Sequence, residues 1–98
     1  MKIGITGASG VLGDILVKKV KDKSYNYSCF EGDIKNVEDI NSWINSNDFD
    51  VIFHLAAIVP PSEVKSDLKK AFETNSIGTK NLVDSLNAKD KKPWLFYA

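Results

Sequence analysis

The 98-residue sequence contains no arginine. Its thirteen basic residues are all lysine, and thirteen acids balance them to a formal net charge of zero. Without a basic patch there is no field to gather nucleic acid or an anionic membrane surface, so neither is an expected partner. Cys29 is the only cysteine and His54 the only histidine. One thiol excludes an intrachain disulfide, and the two residues cannot supply zinc-type ligand spacing, so no metal is expected. Cys29 lies among tyrosine and phenylalanine, the setting of a buried inert thiol, and is given no role. No apolar run approaches the roughly 20 residues of a membrane span, and the N-terminus reads as a strand without a charged and apolar leader. A reducing, cytoplasmic location is the expectation. Repeats, low-complexity tracts and linkers are also lacking, which leaves one small domain.

What is present is concentrated at the N-terminus. The β-branched run Lys2–Thr6 reads as a strand and leads straight into Thr6-Gly7-Ala8-Ser9-Gly10-Val11-Leu12-Gly13. A strand-to-helix turn leaves backbone N–H groups unpaired at the helix start, and those groups together with the helix dipole attract a phosphate. Gly7 suits a tight turn at positive φ, Gly10 removes the Cβ between backbone and anion, and Gly13 lets the helix pack closely on the strand. The alternative is a structural turn that holds no anion. Context favours binding, since Val11, Leu12, Ile15, Leu16 and Val20 follow at helical spacing. A P-loop is excluded because no Gly-Lys-Ser or Gly-Lys-Thr closes the turn.

Further along, residues 25–30 read as a second strand, followed by a turn at Glu31-Gly32-Asp33. Asn36 is an expected helix N-cap with Asp39 at the capping-box position, and Val37, Ile40, Trp43 and Ile44 form the apolar stripe of a second helix ending near Asn47. Residues 50–55 form a continuous apolar strand of the kind buried in a parallel sheet. After Pro60-Pro61 a long helix is expected from about Ser62 to Asn87, with Val64, Leu68, Ala71, Phe72, Leu82, Val83 and Leu86 on its apolar face and a possible bend at Gly78. Trp94-Leu95-Phe96-Tyr97 opens another buried strand. Alternating strands and helices imply right-handed crossovers, a parallel sheet, and ligands at the carboxyl ends of the strands.

With the glycine turn, Gly32-Asp33-Ile34, His54-Leu55-Ala56-Ala57 and Asn75-x-x-Gly78-Thr79-x-Asn81-Leu82 in this order, the whole chain resembles the extended short-chain dehydrogenase/reductase superfamily. Within it, the chain is similar to NAD-dependent epimerases and dehydratases of nucleotide sugars. The resemblance implies a Rossmann-like three-layer α/β fold and makes residues 1–98 an N-terminal NAD(P)-binding domain without the C-terminal substrate-binding half. It implies a nicotinamide dinucleotide cofactor, a nucleotide-sugar substrate and a homodimer for the full-length protein, and the lack of arginine together with the Glu31 carboxylate makes NAD the expected cofactor over NADP. Carried onto this sequence, it has Gly7, Gly10 and Gly13 hold the pyrophosphate, with Ser9 and Val11 in the same turn and Leu12 beneath it. Asp33 would accept from the adenine amino group and Ile34 pack on the ring, although Asp33 also reads as a simple turn former. Leu55, Ala56 and Ala57 would line the cofactor cleft. Asn75 would tie the long helix to the neighbouring strand. His54 reads as a hydrogen-bonded core residue.

The sequence departs from the family pattern in two places. Glu31 lies eighteen residues after Gly13, near the spacing of the acid that binds the ribose hydroxyls. Gly32-Asp33 follows at once, whereas relatives place a helix and a strand between, so one strand-helix unit is expected to be lacking. Glu31 is therefore either on the ribose with Asp33 close by, or a solvated edge residue. Second, the family's catalytic Ser or Thr and Tyr-x-x-x-Lys would lie past Ala98, and none of Tyr25, Tyr27 and Tyr97 has a lysine four residues later. No catalytic residue is expected here. The expected function is the NAD(P)-binding portion of a nucleotide-sugar epimerase, dehydratase or reductase, and the alternative is a non-catalytic NAD(P)-binding sensor.

Overall fold

The computed structural model describes residues 1–55 and 65–97. Four strands, β1 (Lys2–Thr6), β2 (Asn26–Cys29), β3 (Val51–His54) and β4 (Trp94–Tyr97), alternate with three helices, α1 (Val11–Asp22), α2 (Val37–Asn45) and α3 (Lys65–Asn87). All strand pairings are parallel and the order is β2-β1-β3-β4. The chain first steps from β1 to β2, then crosses back over β1 to β3. This reversal opens a crevice between the carboxyl ends of β1 and β3, where open α/β sheets take their ligands.

Strand alternation sorts the side chains into two cores. On one face Ile3, Ile5 and Val51 pack with Val20, Leu16 and Val17 of α1. On the other Ile52 packs with Ile40, Trp43 and Ile44 of α2 and with Leu82 and Leu86 of α3. The result is a three-layer Rossmann-like fold, with one helix above the sheet and two below. Gly4 sits under Trp43, where an added Cβ would come within 3.0 Å of the indole. Asp50 ties the amino ends of the strands together, accepting from the Lys2 amide at 2.7 Å and from the Lys91 ammonium at 2.8 Å.

Several expectations change. The sheet-facing stripe of α1 is Gly13, Leu16, Val17 and Val20, whereas Val11, Leu12 and Ile15 are exposed. Leu16 and Val20 of the expected set face the sheet, and Val11, Leu12 and Ile15 do not. On α2, Val37 is likewise exposed. Asn36 caps α2 as expected, accepting from the Glu38 and Asp39 amides at 2.9 and 3.2 Å. Asp39 does not return to the Asn36 amide, which is bonded to the Asp33 carbonyl, and instead accepts from the Asp33 amide. At the other end of the first crossover, α1 stops with Ser24 at φ 57°, the Tyr25 amide reaching the Val20 carbonyl and the Ser24 amide that of Lys21. That is a Schellman ending built on a non-glycine residue.

The long helix runs unbroken through Gly78, and its expected start near Ser62 lies outside the described residues. The largest correction is β4. Among the described residues it is an edge strand, and Trp94, Phe96 and Tyr97 are mostly exposed. On the α1 side of the sheet Phe96 stacks on Phe53 with ring centroids 5.3 Å apart. Helix α1 covers β1 and β2, and among the described residues nothing covers this aromatic patch over β3 and β4.

Candidate functional site

The glycine turn connects β1 to α1 with Gly7 at φ +75°, a left-handed value that favours glycine. The backbone here is also tight. An added Cβ at Gly7 would strike the Leu55 carbonyl oxygen, and one at Gly13 would strike the Gly7 carbonyl. Gly10 differs, because a Cβ there would meet only the Gly7 oxygen at 3.5 Å and otherwise project into open space. Its φ of −78° suits any residue, so the fold does not need glycine at this position.

Gly10 is also the N-cap of α1, with no side chain to satisfy the helix start. Its own amide bonds back to the Gly7 carbonyl at 3.1 Å, and the first amide with a helical partner is that of Asp14, to Gly10. Among the described residues the amides of Val11, Leu12 and Gly13 are therefore unpartnered. With the positive end of the α1 dipole they form a cradle for an anion.

In front of this turn lies an open cleft of about 750 Å³ lined by Gly7, Ala8, Ser9, Glu31, Asp33, Ile34, Leu55, Thr74 and Asn75. Its size is in the range of small-molecule sites. A larger hollow of about 990 Å³ lies over the bare aromatic patch at Phe53 and Phe96. It offers none of the helix-start amides, so the cleft at the crevice is the better candidate for an anionic ligand. Three successive loops after β1, β2 and β3 thus meet at one edge of the sheet. Glu31 and Asp33, two and four positions after the end of β2, are both exposed and line the same cleft. Ala56 and Ala57 lie outside the described residues.

Asp33 is held firmly. Its Oδ1 accepts from the Lys35 amide at 2.9 Å, its carbonyl from the Asn36 amide at 2.9 Å, and its amide donates to Asp39 at 3.1 Å. Cys29, also on the cleft wall, has its thiol pushed up, mainly by burial and further by the Glu31 carboxylate, with Lys21 opposing. A thiol so protonated is a poor nucleophile.

The floor of the cleft is polar and fully paired. His54 is buried between two hydroxyls, Thr6 Oγ1 at its Nδ1 and Thr79 Oγ1 at its Nε2, the latter at 2.7 Å. Thr79 in turn donates to the Asn75 carbonyl at 2.8 Å. This agrees with the core reading of His54. Among the described residues the Asn75 amide has no strand partner. Thr79, one turn further along α3, makes the tie to β3, and Asn75 contributes its backbone oxygen and a half-buried side chain at the cleft. Sequence reasoning also missed Asn81, whose Nδ2 donates to the Ile34 and Lys35 carbonyls at 3.2 and 3.0 Å. Its position three residues after Gly78 was the available signal.

The model of the RmlD substrate binding domain family matches residues 1–97. No curated protein sequence matches the chain. Among solved structures, Pal from Bacillus thuringiensis is 25% identical with a TM-score of 0.82, over 99% of this chain and 38% of that one. A dTDP-4-dehydrorhamnose reductase, an RfbD ortholog from Clostridium acetobutylicum, is 32% identical with a TM-score of 0.74, over 90% of this chain and 32% of that one. The UDP-glucose 4-epimerase of Thermus thermophilus, in complex with NAD, shares the fold at 18% identity and a TM-score of 0.74, over 87% of this chain and 33% of that one. The chain thus spans about a third of the length of these structures.

Proposed function

Because this chain belongs to the RmlD substrate binding domain family, we propose that residues 1–98 are the dinucleotide-binding portion of a nucleotide-sugar reductase, epimerase or dehydratase. Support comes from one observation above the others: Gly7, Ala8 and Ser9, which lead directly into the unpartnered amides of Val11, Leu12 and Gly13, line the same cleft as Glu31 and Asp33. A pyrophosphate on the helix start has room because Gly10 carries no side chain. From there the adenosine half runs toward the loop after β2, with Glu31 on the ribose hydroxyls, Asp33 on the adenine amino group and Ile34 against the ring. The nicotinamide half runs past Leu55 toward Asn75.

NAD is the preferred cofactor. A 2′-phosphate would meet the Glu31 carboxylate, and the chain has no arginine to receive it. When bound, the nicotinamide supplies hydride chemistry at a sugar carbon, and the residues of this chain bind and orient it. The chain contributes no Tyr-x-x-x-Lys pair, so by itself it holds a dinucleotide and turns over no sugar. Isothermal titration of the 98-residue chain with NAD and NADP tests the reading. Saturable binding, tighter for NAD, is expected, and absence of binding to either at millimolar concentration would overturn it.

A further inference from the structure

Helix α3 reaches across to the loop that carries Glu31 and Asp33, at two points one turn apart. Gly78 is buried directly against Ile34, and a Cβ at Gly78 would come within 2.7 Å of both γ carbons of that side chain. One turn on, the Asn81 amide spans the Ile34 and Lys35 carbonyls. These carbonyls belong to the residues that follow Asp33, and the Lys35 amide is itself bonded to Asp33 Oδ1. From this we infer that Gly78 and Asn81 are positioning residues for base recognition, setting the distance of Asp33 from the cleft and so the discrimination between a 6-amino and a 6-oxo purine.

The physical reason lies in how little else holds the loop on its α3 side. Asp33 and Lys35 are exposed, and the other bonds of Asp33 run to its own loop and to Asp39 at the start of α2. Those local bonds shape the turn without fixing its height above the sheet. Gly78 fixes the height, since the helix can approach Ile34 only where it has no side chain. Asn81 fixes the register along the helix, because one amide group must reach two successive carbonyls. A carboxylate that must meet an exocyclic amine within hydrogen-bond distance tolerates only a few tenths of an ångström of displacement.

The inference rests on the adenine reading of Asp33, and the experiment separates the two. NAD and nicotinamide hypoxanthine dinucleotide, which differ in the 6-amino or 6-oxo group and in the N1 proton that the oxo form carries, are titrated into the full 98-residue chain and into variants. For the parent, NAD should bind about tenfold more tightly, the magnitude of a hydrogen bond to a charged group. Asp33→Ala should bring the ratio close to one, and if it does not, the adenine reading falls and the inference with it. Asn81→Asp keeps the side-chain shape and removes both donors. It should lower the ratio to below about threefold while the circular dichroism of the chain stays that of the parent. Gly78→Ala should do the same, and adding Ile34→Ala, which removes both γ carbons the new methyl would meet, should recover part of the ratio. If Asp33→Ala lowers the ratio while folded Asn81→Asp and Gly78→Ala retain the full parental value, the positioning role is refuted. Should Asn81→Asp fail to fold, the Gly78→Ala and Gly78→Ala/Ile34→Ala pair decides alone, since partial recovery of the ratio supports the role and its absence overturns it.

Discussion

His54 Nε2 lies 2.7 Å from Thr79 Oγ1, and because that hydroxyl gives its proton to the Asn75 carbonyl, it can only accept from the imidazole. The ring therefore carries its proton on Nε2, and Nδ1 accepts from Thr6. Neutral His54 is built into the floor of the cleft.

Burial holds the His54 pKa below its ordinary value of 6.5. The unfolded chain therefore binds a proton at higher pH than the folded one, and stability falls as pH drops through 6.5 and levels off below the folded value. Urea midpoints should be flat above about pH 7.5 and decline between there and pH 5. His54→Ala should cost roughly 1–3 kcal/mol for the Thr6 hydroxyl left without its acceptor, Thr79 keeping its bond to the Asn75 carbonyl, and should remove this slope. A slope that survives in the variant would assign it to another group.

The three glycines of the turn should separate by phenotype. Gly10→Val should fold normally and lose dinucleotide binding, since its side chain enters only the space before the helix start. Gly7→Ala and Gly13→Ala should instead lose stability, by about 1 kcal/mol or more, because each new methyl strikes backbone. Thermal melts with parallel NAD titrations check both halves, and unaltered NAD affinity in folded Gly10→Val would move the phosphate elsewhere.

Replacing Glu31 should change which dinucleotide is favoured. Glu31→Ser removes the carboxylate that faces the 2′-position in the proposed pose, so the preference for NAD over NADP should shrink by about tenfold. Equal affinities in the parent would exclude Glu31 from the ribose.

Ser24 occupies a left-handed position that costs a non-glycine residue about 1 kcal/mol. Ser24→Gly should raise stability by about that amount without altering cofactor affinity, as the site is at the other end of α1. A neutral or destabilising result in urea titration would contradict the Schellman ending.

The stacked Phe53 and Phe96, with Trp94 beside them, leave an apolar surface that water does not favour. Sedimentation of the 98-residue chain should show concentration-dependent self-association, and Phe96→Glu should diminish it. A strictly monomeric parent at high concentration would show that the patch is not adhesive.

The glycine turn was legible because its demands are local: positive φ at Gly7 and backbone contact at Gly13 admit no other residue. The Asn36 cap was legible for the same reason. The stripe on α1 was not, since periodicity gives a spacing and leaves the phase to the point where the helix leaves the sheet edge. Asn75 and Thr79 share one arc of α3 and Asn81 lies on the arc of Gly78, but nothing in that spacing says which arc meets the strand and which the loop. That depends on how far the helix slides along its axis, set here by the fit of Gly78 against Ile34. The run Trp94–Tyr97 announced apolar neighbours without saying on which side they stand.

The bonds from Asn81 to Ile34 and Lys35 close a span of 46 to 47 residues, and this has a consequence for the order of events in folding. The β1–α1 turn and the β2 loop can form early, from short-range contacts. During synthesis, the loop bearing Asp33 stays without its α3 support until about 80 residues have cleared the ribosome, and closing a loop of that length is slow compared with forming a hairpin. A nascent chain paused before Asn81 should therefore already contain the phosphate cradle while its purine side is unfinished, and that side should form only once this part of α3 has emerged.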